Sequence, residues 1–147
     1  MFKRILVPID GSKPSKAGLR TALRLASEQG ARVKLVHLAQ EVPVASSDNT
    51  DMSVGELYAR LRQAGQSLLD RAAKLCSDHG VAAQSRLYVG LGGRASEMIL
   101  TEAKRWHADL IVMGTHGRHG LSRLAFGSNA EHVVRNANAP VLLIRAR

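Results

Sequence analysis

Five short apolar runs alternate along this chain with four stretches whose apolar residues recur every three or four positions, and this alternation narrows the fold most. Phe2 to Ile9 is a nearly continuous run rich in β-branched residues, the pattern of a strand buried on both faces. Ser12 offers an N-cap, and Ala17, Leu19, Ala22, Leu23 and Ala26 form a helical stripe that stops at Gly30, a suitable C-cap. A second strand is expected over Arg32 to Leu38. Leu57, Leu61, Ala64, Leu68, Ala72 and Leu75 then predict a long helix ending at Gly80, with this stripe toward the core. Strand three is expected near Ala82 to Val89, helix three over Ala95 to Trp106 and strand four over Asp109 to Met113. A last helix around Ala130 to Arg135 leads to strand five at Val141 to Ile144. Strands that alternate with helices in this way imply a parallel sheet covered on both faces.

A chain of 147 residues, 45% of them hydrophobic, is long enough for one substantial core and short for two, so residues 1–147 are read as one domain. The single cysteine, Cys76, excludes an internal disulfide framework and falls on a helical apolar stripe, so a buried structural thiol is expected. No apolar run approaches the roughly 20 residues that span a bilayer. Pro8 and Asp10 interrupt the first apolar stretch before a signal peptide's apolar region would end, so a cytoplasmic protein without a membrane partner is expected. The formal charge of +9 would attract polyanions. Yet the basic residues are scattered over every helix, aromatics make up 3% of the chain, and no basic run of five occurs. A solvated basic surface is therefore preferred to nucleic-acid binding.

The glycines carry the functional signal. Gly114-Thr115-His116-Gly117 directly follows the apolar run Leu110 to Met113, and after nine further residues Gly127-Ser128-Asn129 opens the last helix. Glycines allow close backbone approach, and the first amides of a helix lack intrahelical partners, so a strand-to-helix junction of this kind suits a phosphate. The spacing is neither Gly-x4-Gly-Lys-Ser/Thr nor Gly-x-Gly-x2-Gly. Gly90-Leu91-Gly92-Gly93 is a second glycine-rich stretch, read as a turn. His116 and His119 lie three apart in the loop, but no carboxylate or cysteine accompanies them to complete a zinc site, and Arg118 between them discourages a cation. His37 is read as a core or crevice residue rather than a base.

The Gly-x2-Gly-x9-Gly-Ser pattern resembles the nucleotide loop of the universal stress protein family. Met1 to Ser12, with its strand and acidic turn, looks like that family's opening; Gly93-Arg94-Ala95 with Ile99 and Ala139 to Ile144 are similar to its later elements, and only about Gln40 to Ser53 is left unmatched. The resemblance implies a doubly wound, Rossmann-like α/β fold of the adenine nucleotide alpha hydrolase type, a single five-stranded parallel sheet in the order 3-2-1-4-5 with four helices. In that order the winding reverses between strands one and four, where open α/β sheets bind ligands, so Asp10 and Gly114 would converge on one crevice.

The roles implied are these. Asp10 would accept hydrogen bonds from a ribose or adenine, its alternative being a helix cap. Pro8, Ile9 and Leu38 would supply an apolar wall and backbone contacts for the base, their alternative being core packing, and Met113 is counted with the binding residues. Gly114, His116, Gly117 and Arg118 would meet the ribose and phosphates. Gly127, Ser128, Asn129 and Ala130 would hold the phosphates at the last helix, although Ala130 lacks the hydroxyl that nucleotide-holding relatives offer there. The expected ligand is ATP, with any magnesium or manganese carried by its phosphates. No acidic residue occurs from Gly114 to Ala130, so a binding and signalling protein of the stress response is preferred to a slow ATP-hydrolysing or phosphate-transferring enzyme. A homodimer through Val141 to Ile144, apolar on both faces, is the expected assembly.

Overall fold

The structure, a computed structural model, describes residues 1–40, 52–90, 92–115 and 127–146. Strands β1 (Arg4–Pro8), β2 (Arg32–Ala39), β3 (Ala83–Val89), β4 (Leu110–Gly114) and β5 (Val141–Ile144) alternate with helices α1 (Lys13–Gln29), α2 (Val54–Asp78), α3 (Ala95–Trp106) and α4 (Ser128–Asn136). The sheet is parallel throughout and runs β3-β2-β1-β4-β5. The expected fold and strand order are those observed, with element ends shifted by a residue or two.

The two faces of the sheet bury two cores. Ile5, Val7, Val33, Leu35, Leu110 and Val112 pack under α1 and α2. Leu6, Val36, Ile111 and Met113 pack under α3 and α4. Successive residues of β1, β2 and β4 therefore face opposite layers, which is why apolar residues stand side by side in these strands, interrupted in β2 at Lys34 and His37.

Helix α1 is bounded by the residues its sequence suggests. The Ser12 hydroxyl accepts from the Ser15 N–H at 3.3 Å, and Gly30 closes the helix in the left-handed region at φ 64°. Helix α2 is turned relative to the expected stripe. Its buried line is Gly65, Leu69, Ala72 and Cys76, whereas Ala64 is exposed and Leu57, Leu61, Leu68 and Leu75 are only partly buried. The reason is a close approach at Gly65, where a Cβ would lie 2.7 Å from Leu87 Cδ1 and 3.1 Å from Ala39 Cβ. The absent side chain at Gly65 lets α2 settle against β2 and β3 along that line. Cys76 is fully buried, as expected.

Candidate functional site

β1 ends in a turn that exposes one carboxylate. Asp10 Oδ1 accepts from the Ser12 N–H at 2.8 Å, and the Asp10 N–H donates to Ser15 Oγ at 3.1 Å. Gly11, between them, sits at φ 80°, a conformation that other residues rarely adopt. The cap of α1 is Ser12, so Asp10 braces the turn rather than capping the helix. Its Oδ2 has no hydrogen-bond partner among the described residues. Next to the turn, His37 Nδ1 lies 2.6 Å from the Ile9 carbonyl oxygen. A carbonyl only accepts, so Nδ1 carries the proton and a neutral ring leaves Nε2 as the acceptor.

β4 delivers its glycine to the same place for a packing reason. A Cβ on Gly114 would fall 2.3 Å from the carbonyl carbon and oxygen of Pro14, and one on Gly18 would fall 3.2 Å from the Gly114 nitrogen. The start of α1 thus lies directly against the end of β4. Gly114 has no left-handed φ; its missing side chain is what allows the contact.

α4 begins without a side-chain cap. Its N-cap, Gly127, sits at φ 81° and ψ 147°, a region open essentially to glycine alone. The first intrahelical bond runs from the Glu131 N–H to the Gly127 carbonyl at 3.0 Å, so the amides of Ser128, Asn129 and Ala130 precede any helical acceptor. Asn129 Oδ1 accepts from the Ser96 N–H at 3.1 Å, which ties the first turn of α3, itself uncapped by Arg94, to that of α4. Two helix N-termini therefore point toward one region.

These elements surround a crevice of about 600 Å³, its mouth included. It brings together Pro8, Ile9, Asp10, Leu38, Met113, Gly114, Asn129 and Ala130 from the expected set. Ala130 is buried, Asn129 half-buried and Ser128 exposed. Gly127 and Ser128 adjoin the crevice in sequence without lining it. His116, Gly117 and Arg118, with His119 and Arg123, lie outside the described residues.

The sequence reading assigned no site role to Ser12, Pro14, Ser15, Thr115 or the α3 residues Ala95, Met98 and Ile99, which also line the crevice. The first three follow Asp10 through the turn and were visible as its neighbours. Met98 and Ile99 are buried on the inner side of α3, and the docking of that helix brings them to the wall. Among the described residues no group of three or more His, Cys, Asp or Glu is disposed to hold a metal, and no helix is long and apolar enough to cross a membrane.

Residues 1–145 match the model of the universal stress protein family. A universal stress protein of Methanocaldococcus jannaschii is 33% identical over 147 residues, covering 99% of this chain and 83% of the relative. Another protein of that organism, solved as a structural-genomics test case for assigning biochemical function from structure, superposes with a TM-score of 0.81 at 26% identity, covering 100% and 98% of the two chains. A universal stress protein from Archaeoglobus fulgidus in complex with dAMP superposes with a TM-score of 0.66 at 25% identity, covering 97% and 98%.

Proposed function

The chain belongs to the universal stress protein family, and we propose that it is an adenine-nucleotide-binding member that holds ATP in the crevice between β1 and β4. The observation that carries this reading is the meeting of an exposed carboxylate, Asp10, with the uncapped N-terminus of α4 across an apolar wall. In this reading Asp10 Oδ2 accepts from the nucleoside, Pro8, Ile9, Leu38 and Met113 flank the base, and Gly114 admits the ribose. The amides of Ser128, Asn129 and Ala130 meet the phosphates at the positive end of α4. His116, Gly117 and Arg118 would complete the phosphate contacts, and magnesium or manganese would arrive with the phosphates. The dAMP-bound relative supports the adenine part of the reading. Occupancy would be passed on through conformation or assembly as a stress signal in the cytoplasm, the assembly being a homodimer through β5.

The test is calorimetry with ATP on the parent and on Ser128→Asp, joined to nucleotide analysis of protein purified without added ligand. Charge-assisted hydrogen bonds are worth about 1.5–3 kcal/mol each, so a carboxylate placed beside the phosphates is expected to weaken ATP binding at least about tenfold. Equal affinity in the variant, or no ATP heat in the parent, counts against the reading.

A further inference from the structure

On the opposite face of the sheet from α3 and α4, a groove of about 910 Å³, its mouth included, runs between α1 and α2. Its walls are two kinds of residue. Leu19 and Ala72 are buried in the floor, and Leu68 and Leu75 are half-exposed along one side. Lys16, Arg20 and Arg71 stand exposed around the rim. Among the described residues none of these three cations forms an ion pair, and no acidic residue lines the groove.

The cationic surface continues beyond the groove. Lys13, Lys16, Arg20 and Arg24 are all exposed and follow one another at three- and four-residue spacing, a single stripe about 16 Å long on α1. The first turn of α1 holds no acidic residue, so Lys13 and Lys16 stand at the positive end of the helix dipole, where cations are unfavourable. A sequence that sets a local preference aside at one surface marks that surface as a place of function. The leucines make the same point. Leu61, Leu68 and Leu75 recur every seven residues along α2 and stay partly exposed beside the buried line through Gly65, Leu69, Ala72 and Cys76; Leu75 also packs against the edge of the core, and Leu68 and Leu75 line the groove. A heptad spacing left half-exposed is the seam another helix fills.

We propose that the α1–α2 groove is a docking site for an acidic amphipathic helix of a partner protein, its apolar side on Leu68 and Leu75 and its carboxylates on Lys16, Arg20 and Arg71. The length of the stripe favours an elongated partner over a single small anion, and the leucine seam favours a helix over a nucleic-acid backbone. The groove is distinct from the crevice, although Ile9 borders both.

The probe is a fluorescent 21-residue peptide with leucine at heptad spacing and glutamate on both flanks, titrated by anisotropy at low and physiological salt. A lysine-flanked peptide of the same leucine pattern and a single-stranded oligonucleotide serve as competitors. Binding of the acidic peptide is expected. It should weaken at least about tenfold in Arg20→Glu/Arg71→Glu, and also in Leu68→Ser, while Arg105→Glu, an exposed charge on α3, leaves it unchanged. No binding of the acidic peptide overturns the proposal. So does equal weakening by Arg105→Glu, indifference to Leu68→Ser, or displacement by the oligonucleotide at equal strength.

Discussion

Lys34 Nζ of β2 lies 2.6 Å from Oε1 of the fully buried Glu102 of α3. The Tyr88 hydroxyl donates to Glu102 Oε2, and Arg86 Nε approaches the same oxygen at 3.4 Å. Lys34 also sits 5.8 Å over the Trp106 ring, and Arg86 5.1 Å over that of Tyr88. One carboxylate therefore ties α3 to β2 and β3. Four and three residues before it, Met98 and Ile99 reach the crevice wall, so the tie sets where that wall stands.

Removing the carboxylate leaves Lys34 in a site that is 13% exposed and without its counter-ion. Loss of one partner of a buried pair costs about 3–5 kcal/mol, so Glu102→Ala is expected to lose stability in that range. Glu102→Gln, which keeps the shape and an acceptor for Tyr88, should lose less. Urea denaturation decides; a loss under about 1 kcal/mol in Glu102→Ala would show the network to be energetically idle.

The same carboxyl links folding to pH. Burial raises its pKa, but Lys34, the Tyr88 hydroxyl and Arg86 outweigh that and hold it below its ordinary value of 4.5. With the folded value depressed, the unfolded chain takes up this proton first. The stabilisation is thus complete above about pH 4.5 and declines as the pH falls toward and through the folded value. Denaturation midpoints between pH 6 and pH 3 should fall more steeply in the parent than in Glu102→Gln. Parallel curves would contradict the linkage.

This network was not legible in the sequence. Lys34 interrupts an apolar strand, Glu102 lies on the apolar side of α3, and each reads singly as a solvated charge until the sheet brings them together. The strands were legible, because buried parallel strands are apolar on both faces; right-handed crossovers only narrow the topologies, and the order itself came with the family resemblance. The stripe of α2 was misread because periodicity weighs a leucine above a glycine, while packing gave the closest approach to Gly65. Asp10, Gly114 and Asn129 were read as ligand groups. Each also has a structural duty, with Ser12, Pro14 and Ser96 respectively, and spacing alone does not display it.

Gly114 is the position where those two duties separate. A Cβ there meets the Pro14 backbone at 2.3 Å, and backbone does not yield as a flexible side chain does. Gly114→Ala is expected to cost about 1–3 kcal/mol of stability even without nucleotide, the usual range for overpacking. Thermal unfolding of ligand-free protein tests this. An unchanged midpoint would mean the glycine answers to ligand alone.

Cys76 should be inert in the folded protein. Burial, only partly offset by a backbone hydrogen bond, pushes its thiol up to about 11. At pH 8 the thiolate, which is the nucleophile, is then on the order of one part in a thousand, and the sulfur is also enclosed. A thiol reagent should label the native protein at least about 100-fold more slowly than the protein in urea. Comparable rates would show that α2 opens readily from the sheet.

β5 is the edge that tests assembly. Val141, Leu142, Leu143 and Ile144 pair on one side with Ile111, Val112, Met113 and Gly114, and among the described residues the other side of the strand has no neighbour. Leu142 is 36% exposed there, and the other three are half-buried. An apolar edge of this kind invites pairing with a second strand, and a two-fold axis lets two copies satisfy each other's backbone groups at once. The competing outcome is a monomer whose edge is protected by the charges of Arg145 and Arg147 in the sequence, with Pro140. Light scattering should give the parent twice its 15.9 kDa chain mass at micromolar concentration, and Leu142→Lys should shift the protein toward the single chain. Because α4 joins the glycine loop to β5, ATP should tighten the parent dimer if occupancy biases the strand, and the dimer should then tighten ATP by the same factor. A parent at single-chain mass, or a lysine variant that dimerises equally tightly, would place any assembly elsewhere on the molecule.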